Sequence, residues 1–469
     1  MILSLLLSIF TPLLLGFVLI SFLWPDQRPF RYFIIKGSIA TGLGIGFFSI
    51  VFFIWLLVFG TSKNFILFER VLLVPLLISL YYAFKKYRNP LPVEVRDKPS
   101  IISPSPPLEK GGWGDLKGYF RSELFVKIVF YLTFLFSLLA FIFVTLRNPH
   151  GGWDAWAIWN MRARFIFRSG EHWQNAFSNL LGWSHPDYPL LIPLSIIHGW
   201  VNIGGETSIM PAILAMIFTF STVLLLLSSL IILRSETQGL LAGLILLGTP
   251  FFIRHGATQY ADVPLGFFFL LTMVLLAFYD RTSPKSYALL FLAGISAGFS
   301  AWTKNEGLLF LISIIAAHSL VIIRMKGWKT LSKEMVAFFI GLIPVLLIII
   351  YLKIYIAPAN DLLSAQGFTT FSKLIDPARY FLILKEYIIT GITFTRYGLP
   401  LLAIYLLLLG INRKLKDNII VKTAIITLVL MLAGYFFVYV TTPQDLSWHL
   451  KTSLNRLFLQ LWPSVIFLF

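Results

Sequence analysis

Val263-Pro264-Leu265-Gly266-Phe267-Phe268-Phe269-Leu270-Leu271-Thr272-Met273-Val274-Leu275-Leu276-Ala277-Phe278-Tyr279 carries no charged side chain, and Asp262 and Asp280 close it at its two ends. A helix of this length is within the range that crosses a hydrocarbon core of ~30 Å. Outward from it, comparable runs recur near 2–24, 38–60, 66–84, 124–146, 208–233, 238–253, 286–303, 307–323, 335–356, 382–411, 419–440 and 457–469. The stretch 382–411, broken by Thr and Arg396, reads as an interfacial helix followed by a span, and 457–469 is short enough to cross only partly. With 58% hydrophobic and 13% charged residues, the chain lies far outside soluble globular usage. The expected fold is an all-α polytopic membrane protein of about 12–13 transmembrane helices. Residues 1–24 lack a basic start and a small-residue cleavage site, so they read as a retained span.

Charge distribution sets the expected topology. The connections 25–37, 85–123, 234–237, 280–285, 324–334 and 412–418 hold 21 Lys and Arg, against 11 in the longer set 61–65, 147–207, 254–262, 303–306, 357–381 and 441–456. The positive-inside rule places the first set in the cytoplasm. The formal charge of +17 is then a topology signal with a share in anionic-lipid contact, and argues against nucleic acid as a partner. The chain has no cysteine, which excludes disulfides, thiolate nucleophiles and Cys metal sites. The N-terminal three spans (1–84) are followed by a Pro/Gly/Ser-rich stretch, 85–123, that cannot bury a core and reads as a flexible cytoplasmic linker. It resembles short translated repeats inserted in some bacterial genes. The remaining segment, 124–469, carries the external loop 147–207. Gly42/Gly46 and Gly294/Gly298 read as close helix contacts.

The unusual polar residues collect on the expected external face. The loop 147–207 is too long for a plain connection and too rich in Trp, Phe and Leu for disorder. Its Trp153, Trp156, Trp159, Phe165, Phe167, Trp173 and Trp183 fit helices lying in the headgroup layer. Asp154, after Gly151-Gly152, has two readings: a cap on the first helical turn, or a partly desolvated general base. Arg162 lies two turns on, facing the same side. His185 and Asp187, in His185-Pro186-Asp187-Tyr188-Pro189, either stabilise a turn or form a second polar set. Asp262 either caps a helix ahead of Pro264 or faces the site. Lys304 and Glu306 sit in a hairpin between spans, where a Lys either snorkels or holds a lipid phosphate. Arg254, His449, Lys451 and Arg456 supply further cations, which an anion at a low-dielectric interface needs.

Trp153-Asp154, His185-Pro186-Asp187-Tyr188-Pro189-Leu190, Tyr260-Ala261-Asp262-Val263-Pro264-Leu265 and Thr303-Lys304-Asn305-Glu306-Gly307, in this order, resemble bacterial membrane glycosyltransferases of the GT-C type. The resemblance lies near the branch of aminoarabinose transferases and protein mannosyltransferases, and it covers roughly 125–330. Two departures stand out: Ala155 replaces a frequent second acid, and three extra spans precede the usual first one. The resemblance implies transfer of a sugar from a polyprenyl-phosphate donor to a glycan, lipid or protein acceptor, at the external face of a bacterial plasma membrane. Asp154 would take the acceptor proton. Arg162, His185, Asp187, Arg254, Asp262, Lys304, Glu306, His449 and Arg456 would bind substrate, with Lys304, Arg254 or His449 opposing the leaving phosphate. No cofactor is expected, and a divalent metal is not assigned.

Two other classes compete. A lipid-linked saccharide transporter would place charge at mid-span, where Glu69, Arg70, Lys353 and Arg396 are the few candidates, and would show repeated halves, which the chain lacks. An O-antigen polymerase or ligase would centre its chemistry on external Arg and His. The charge bias itself is open to measurement. A reporter fused within 85–123 should be cytoplasmic and one at 170–180 external; finding both on one side would refute the topology.

Overall fold

The structure is a computed structural model that describes residues 2–24, 32–62, 64–88, 116–282, 285–360, 368–394, 400, 403 and 418–468. All regular structure among them is helical. Nine of the described helices are long and apolar enough to cross a membrane, and a bent pair makes a tenth. The chain is a multi-pass α-helical membrane protein.

The helices follow the apolar runs. They are α1 (Ile2–Leu23), α2 (Phe33–Phe59), α3 (Phe65–Arg88), α4 (Leu116–Arg147), α5 (Asn160–Ser169), α6 (Leu191–Ile203), α7 (Ile209–Leu233), α8 (Glu236–Leu247), α9 (Pro250–Ala257) and α10 (Asp262–Arg281). There follow α11 (Tyr287–Thr303), α12 (Glu306–Lys326), α13 (Trp328–Tyr355), α14 (Phe368–Leu374), α15 (Pro377–Thr393), α16 (Ile419–Thr441) and α17 (Leu446–Leu468). Of the expected linker, 85–88 and 116–123 continue the flanking helices, while 89–115 fall outside the described residues. Arg396 and much of 394–411 also fall outside them.

Three expectations change in detail. The run 238–253 is two helices meeting at 64°. Pro250 cannot continue a helix from α8, and it drives Thr249 into the extended region (φ −98°, ψ 94°). The apolar run after Pro189 forms α6, a short helix buried on nearly every side, so this part of the stretch 147–207 packs within the helix bundle. The last run belongs to a helix that begins eleven residues earlier, at Leu446, and so brings Arg456 into the bundle.

α10 is the axis of the fold. Every residue from Asp262 to Tyr279 is buried, the mark of a helix apolar all round because neighbours cover it all round. α7, α11, α16 and α17 pack on it. Small residues set the crossings. A side chain on Gly44 would run into the Pro12 carbonyl, and one on Gly16 into that of Ala40, so α1 and α2 meet backbone to backbone. Gly294 and Gly341 do the same between α11 and α13. Gly42 and Gly46 instead receive the rings of Phe267 and Phe299.

Buried polar ties join the first three helices to the rest. His198 Nε2 lies 3.0 Å from Glu69 Oε2, Asn202 donates to the same oxygen at 2.6 Å, and Arg70 donates to Asn202 at 2.8 Å. Trp302 Nε1 donates to Ser49 Oγ at 3.0 Å. At the end of the bundle where α10 and α12 finish and α13 begins, Lys326 pairs with Asp280 (3.3 Å), and Tyr279 and His318 meet Glu334. The opposite end is where α10 and α12 begin and α11 and α13 finish.

The glycine crossing yields a prediction. Gly44→Val should cost more than about 2 kcal/mol, read as a lower melting temperature or loss of monodisperse protein in detergent. Gly205→Val, with open space around its Cα, should melt like wild type. Equal melting of the two variants would contradict the close crossing.

Candidate active site

The loop after α4 is held by short-range steric and hydrogen-bond constraints. Gly151 has φ +75°, and a side chain there would strike Ala155 and the Thr258 carbonyl. The Gly152 amide donates to Thr258 O at 2.9 Å, and its Cα lies against the Tyr260 ring. Gln259 donates to Pro149 O at 3.1 Å and accepts from Asn160 at 2.9 Å. This clamp delivers Asp154 to the start of a π turn, Ala155–Trp159, that leads into α5. Asp154 makes no side-chain capping bond. Its carboxylate accepts from Arg456 Nη2. Trp153 and Trp156, edge to face at 4.6 Å, remain exposed beside it.

Arg456 bridges two carboxylates. Its guanidinium lies 4.8 Å over the Tyr260 ring, and its Nε donates to Asp262 Oδ2 at 3.0 Å. Asp262 is fully buried and does not cap. Its Oδ1 accepts from Gln460 Nε2 (2.6 Å) and Lys304 Nζ (3.1 Å). Arg456 and Gln460 are four residues apart on α17 and thus share a face. Lys304, in the hairpin between α11 and α12, also pairs with Glu306 Oε1 at 2.7 Å. Burial works against its ammonium, but the Asp262 and Glu306 carboxylates outweigh it and hold its pKa above the ordinary lysine value. Gly307 completes this hairpin, because a side chain there would overlap the Ser300 carbonyl.

The next residue of the hairpin faces a second centre. Asn305 donates to Asp187 Oδ2 at 2.7 Å, Asn360 donates to the same oxygen at 2.6 Å, and Lys353 Nζ lies 3.6 Å from it. Lys353 also donates to the Asp187 carbonyl (2.5 Å) and to Asn305 Oδ1 (2.8 Å). Arg162 orders the turn that carries Asp187 by donating to the carbonyls of Ser184 (3.0 Å), His185 (2.6 Å) and Tyr188 (3.1 Å). Burial lowers its pKa to about 10, so it stays charged at neutral pH. Tyr188 is stacked between Trp159 (5.5 Å) and His185 (4.9 Å). Its phenol lies within electrostatic reach of Glu306, Lys304, Asp187 and Asp154, so the two centres adjoin.

The structure thus gathers Asp154, Asp262, Lys304, Glu306 and Arg456 into one ion network, with Asp187 joined through Asn305. Arg162 gives its two terminal nitrogens to the backbone while its buried Nε has no partner among the described residues, and His185 packs on Tyr188. His449 is bonded to Thr442 (2.9 Å); burial lowers its pKa, and Glu306, His185 and Lys304 lie within electrostatic reach. Arg254 is exposed beside Phe251 and stays outside the network. Four carboxylates (Asp154, Asp187, Asp262, Glu306) stand against four cations (Arg162, Lys304, Lys353, Arg456). Among the described residues no three His, Asp or Glu side chains gather as metal ligands. Sequence reasoning missed Asn305, Asn360 and Gln460, and it took Lys353 only as a transporter residue. The one usable signal was the four-residue spacing of Arg456 and Gln460 at the head of an apolar run.

Residues 185–352 match the family model described as dolichyl-phosphate-mannose-protein mannosyltransferase. The chain resembles a GT-C membrane glycosyltransferase. The matched segment includes Asp187, Asp262, Lys304 and Glu306, while Asp154 and Arg456 lie to either side of it. Neither a curated protein nor a solved structure matches this GT-C-like chain.

The Arg162 clasp predicts a local effect. Arg162→Lys cannot span three carbonyls, so amides in 180–190 should exchange hydrogen at least tenfold faster, measured by mass spectrometry, while α10 stays protected. Unchanged exchange would mean the turn holds without it.

Proposed function

We propose that this GT-C-type glycosyltransferase moves a sugar from a polyprenyl-phosphate donor to an acceptor hydroxyl at the external face of a bacterial plasma membrane. The observation that carries the reading is Arg456 touching both Asp154 and Asp262, with Lys304 on the far side of Asp262. A carboxylate able to take a proton thereby sits beside cations able to oppose a phosphate. The bond formed is from the acceptor oxygen to the anomeric carbon, and the bond broken is from that carbon to the phosphate oxygen. The proton goes to Asp154, and the leaving polyprenyl phosphate is stabilised by Arg456 and Lys304. Before a donor arrives, Arg456 is committed to Asp154. A phosphate that competes for the guanidinium would release the carboxylate to act as base, which favours donor binding ahead of the acceptor.

The external assignment is supported by the lower Lys and Arg content of the connections at this end. Of the residues a transporter would need at mid-span, Glu69 and Arg70 lie in the first turns of α3 and Lys353 in the last turn of α13, while Arg396 lies outside the described residues.

The test is transfer from a defined polyprenyl-phosphate hexose by purified protein. Asp154→Asn should lower turnover by ~10²–10⁴ with normal yield; near-wild-type turnover would remove the base and leave the polymerase-like alternative. Lys304→Ala should impair donor use far more than Lys304→Arg. Equal losses would point to fitted packing.

A further inference from the structure

Two carboxylate oxygens at the site are buried and, among the described residues, have no hydrogen-bond donor: Asp187 Oδ1 and Glu306 Oε2. The asymmetry within each carboxylate is informative. Asn305, Asn360 and Lys353 all converge on Asp187 Oδ2, although Oδ1 is as deeply enclosed in a residue only 1% exposed. Lys353 enforces this by donating to Asn305 Oδ1, which turns the amide NH₂ of Asn305 toward Oδ2. Glu306 repeats the pattern: Oε1 takes Lys304, and Oε2 takes nothing. A buried acceptor left unmade is costly, and two beside one tyrosine call for an occupant.

The charge balance says what kind of occupant. Glu306 pairs with Lys304, which it shares with Asp262, Asp187 has Lys353 at 3.6 Å and Arg162 within electrostatic reach, and over the whole site four carboxylates stand against four cations. What is missing is therefore a donor and not a positive charge. A neutral, donor-rich molecule fits, and the hydroxyls of a sugar ring are such donors. We propose that Asp187 Oδ1 and Glu306 Oε2 accept hydrogen bonds from hydroxyls of the transferred sugar. Asp187, Glu306 and Asn305 then form a sugar-reading subsite, with Lys353 as its positioning residue, separate from the proton and phosphate chemistry of Asp154, Arg456 and Lys304. This inference rests on the glycosyltransferase reading above.

The experiment separates sugar from phosphate by binding alone. Full-length protein in nanodiscs is loaded with a fluorescent polyprenyl phosphate, which is displaced by unlabelled polyprenyl phosphate or by polyprenyl-phosphate mannose or glucose. In wild type, at least one glycolipid should bind about tenfold tighter than the bare lipid, the size expected of charge-assisted hydrogen bonds. Asp187→Asn should close that gap and leave bare-lipid affinity within about twofold. Glu306→Gln should narrow the gap as well, while the Lys304 charge it frees tightens bare lipid and glycolipid alike, and it decides the matter if Asp187→Asn fails to fold. Lys353→Met should blur the difference between mannose and glucose without moving bare-lipid binding. A gap that survives both carboxylate changes, or no gap in wild type, overturns the proposal. So does a gap lost with EDTA and restored by Mg²⁺, since a cation would then hold the oxygens. If wild type binds neither lipid, the donor reading itself falls, which is a different result.

Discussion

A guanidinium at the head of a membrane bundle needs counter-charge, and Arg456 takes it from two carboxylates that lie 302 and 194 residues away in the chain. This one contact ties α17 to the loop that follows α4 and to the start of the central helix α10. Removing either carboxylate leaves a largely buried cation with half its compensation, and breaking a buried pair costs on the order of 3–5 kcal/mol. The loop clamp at Gly151 and Gly152, the Lys304 hairpin and the Gln460 amide are all arranged around keeping that contact in register. The site is therefore part of the tertiary lock of its end of the molecule.

The body of the fold was legible because hydropathy is a local signal. Asp262–Tyr279 needed no partner to be read as a span, and its burial on all sides agrees with its composition. The bend at Pro250 was also written locally, yet a length-based reading passed over it. α6 was hidden for a different reason. Its burial depends on α2 and α5 covering it, which no window of its own residues reveals. The same division runs through the site. Asp262, Lys304 and Glu306 stood out as charges at the ends of apolar runs. Asn305, Asn360 and Gln460 are neutral amides, invisible to charge and hydropathy, and the carboxylates they bond are more than 100 residues distant. Arg254 met the same criterion as Arg456 but points outward, because periodicity in an eight-residue helix does not say which side is covered.

The first three helices are bound into the body by specific polar ties. Glu69 reaches His198 and Asn202 in α6, and Ser49 accepts from Trp302, two residues before Lys304 in the hairpin between α11 and α12. A tilt of α2 would thus be felt at the hairpin through a single indole.

Four carboxylates facing four cations have a consequence for the catalytic cycle. On the proposed chemistry, the proton that neutralises Asp154 arrives in the same step in which the phosphate gains a negative charge on bond breaking. The total charge enclosed by the protein is then unchanged from reactants to products. No ion has to enter from solution during the step, because the one positive charge that protonation of Asp154 leaves uncompensated in the protein faces the negative charge the phosphate has gained. Such a site can work at the edge of a medium that supplies few counter-ions.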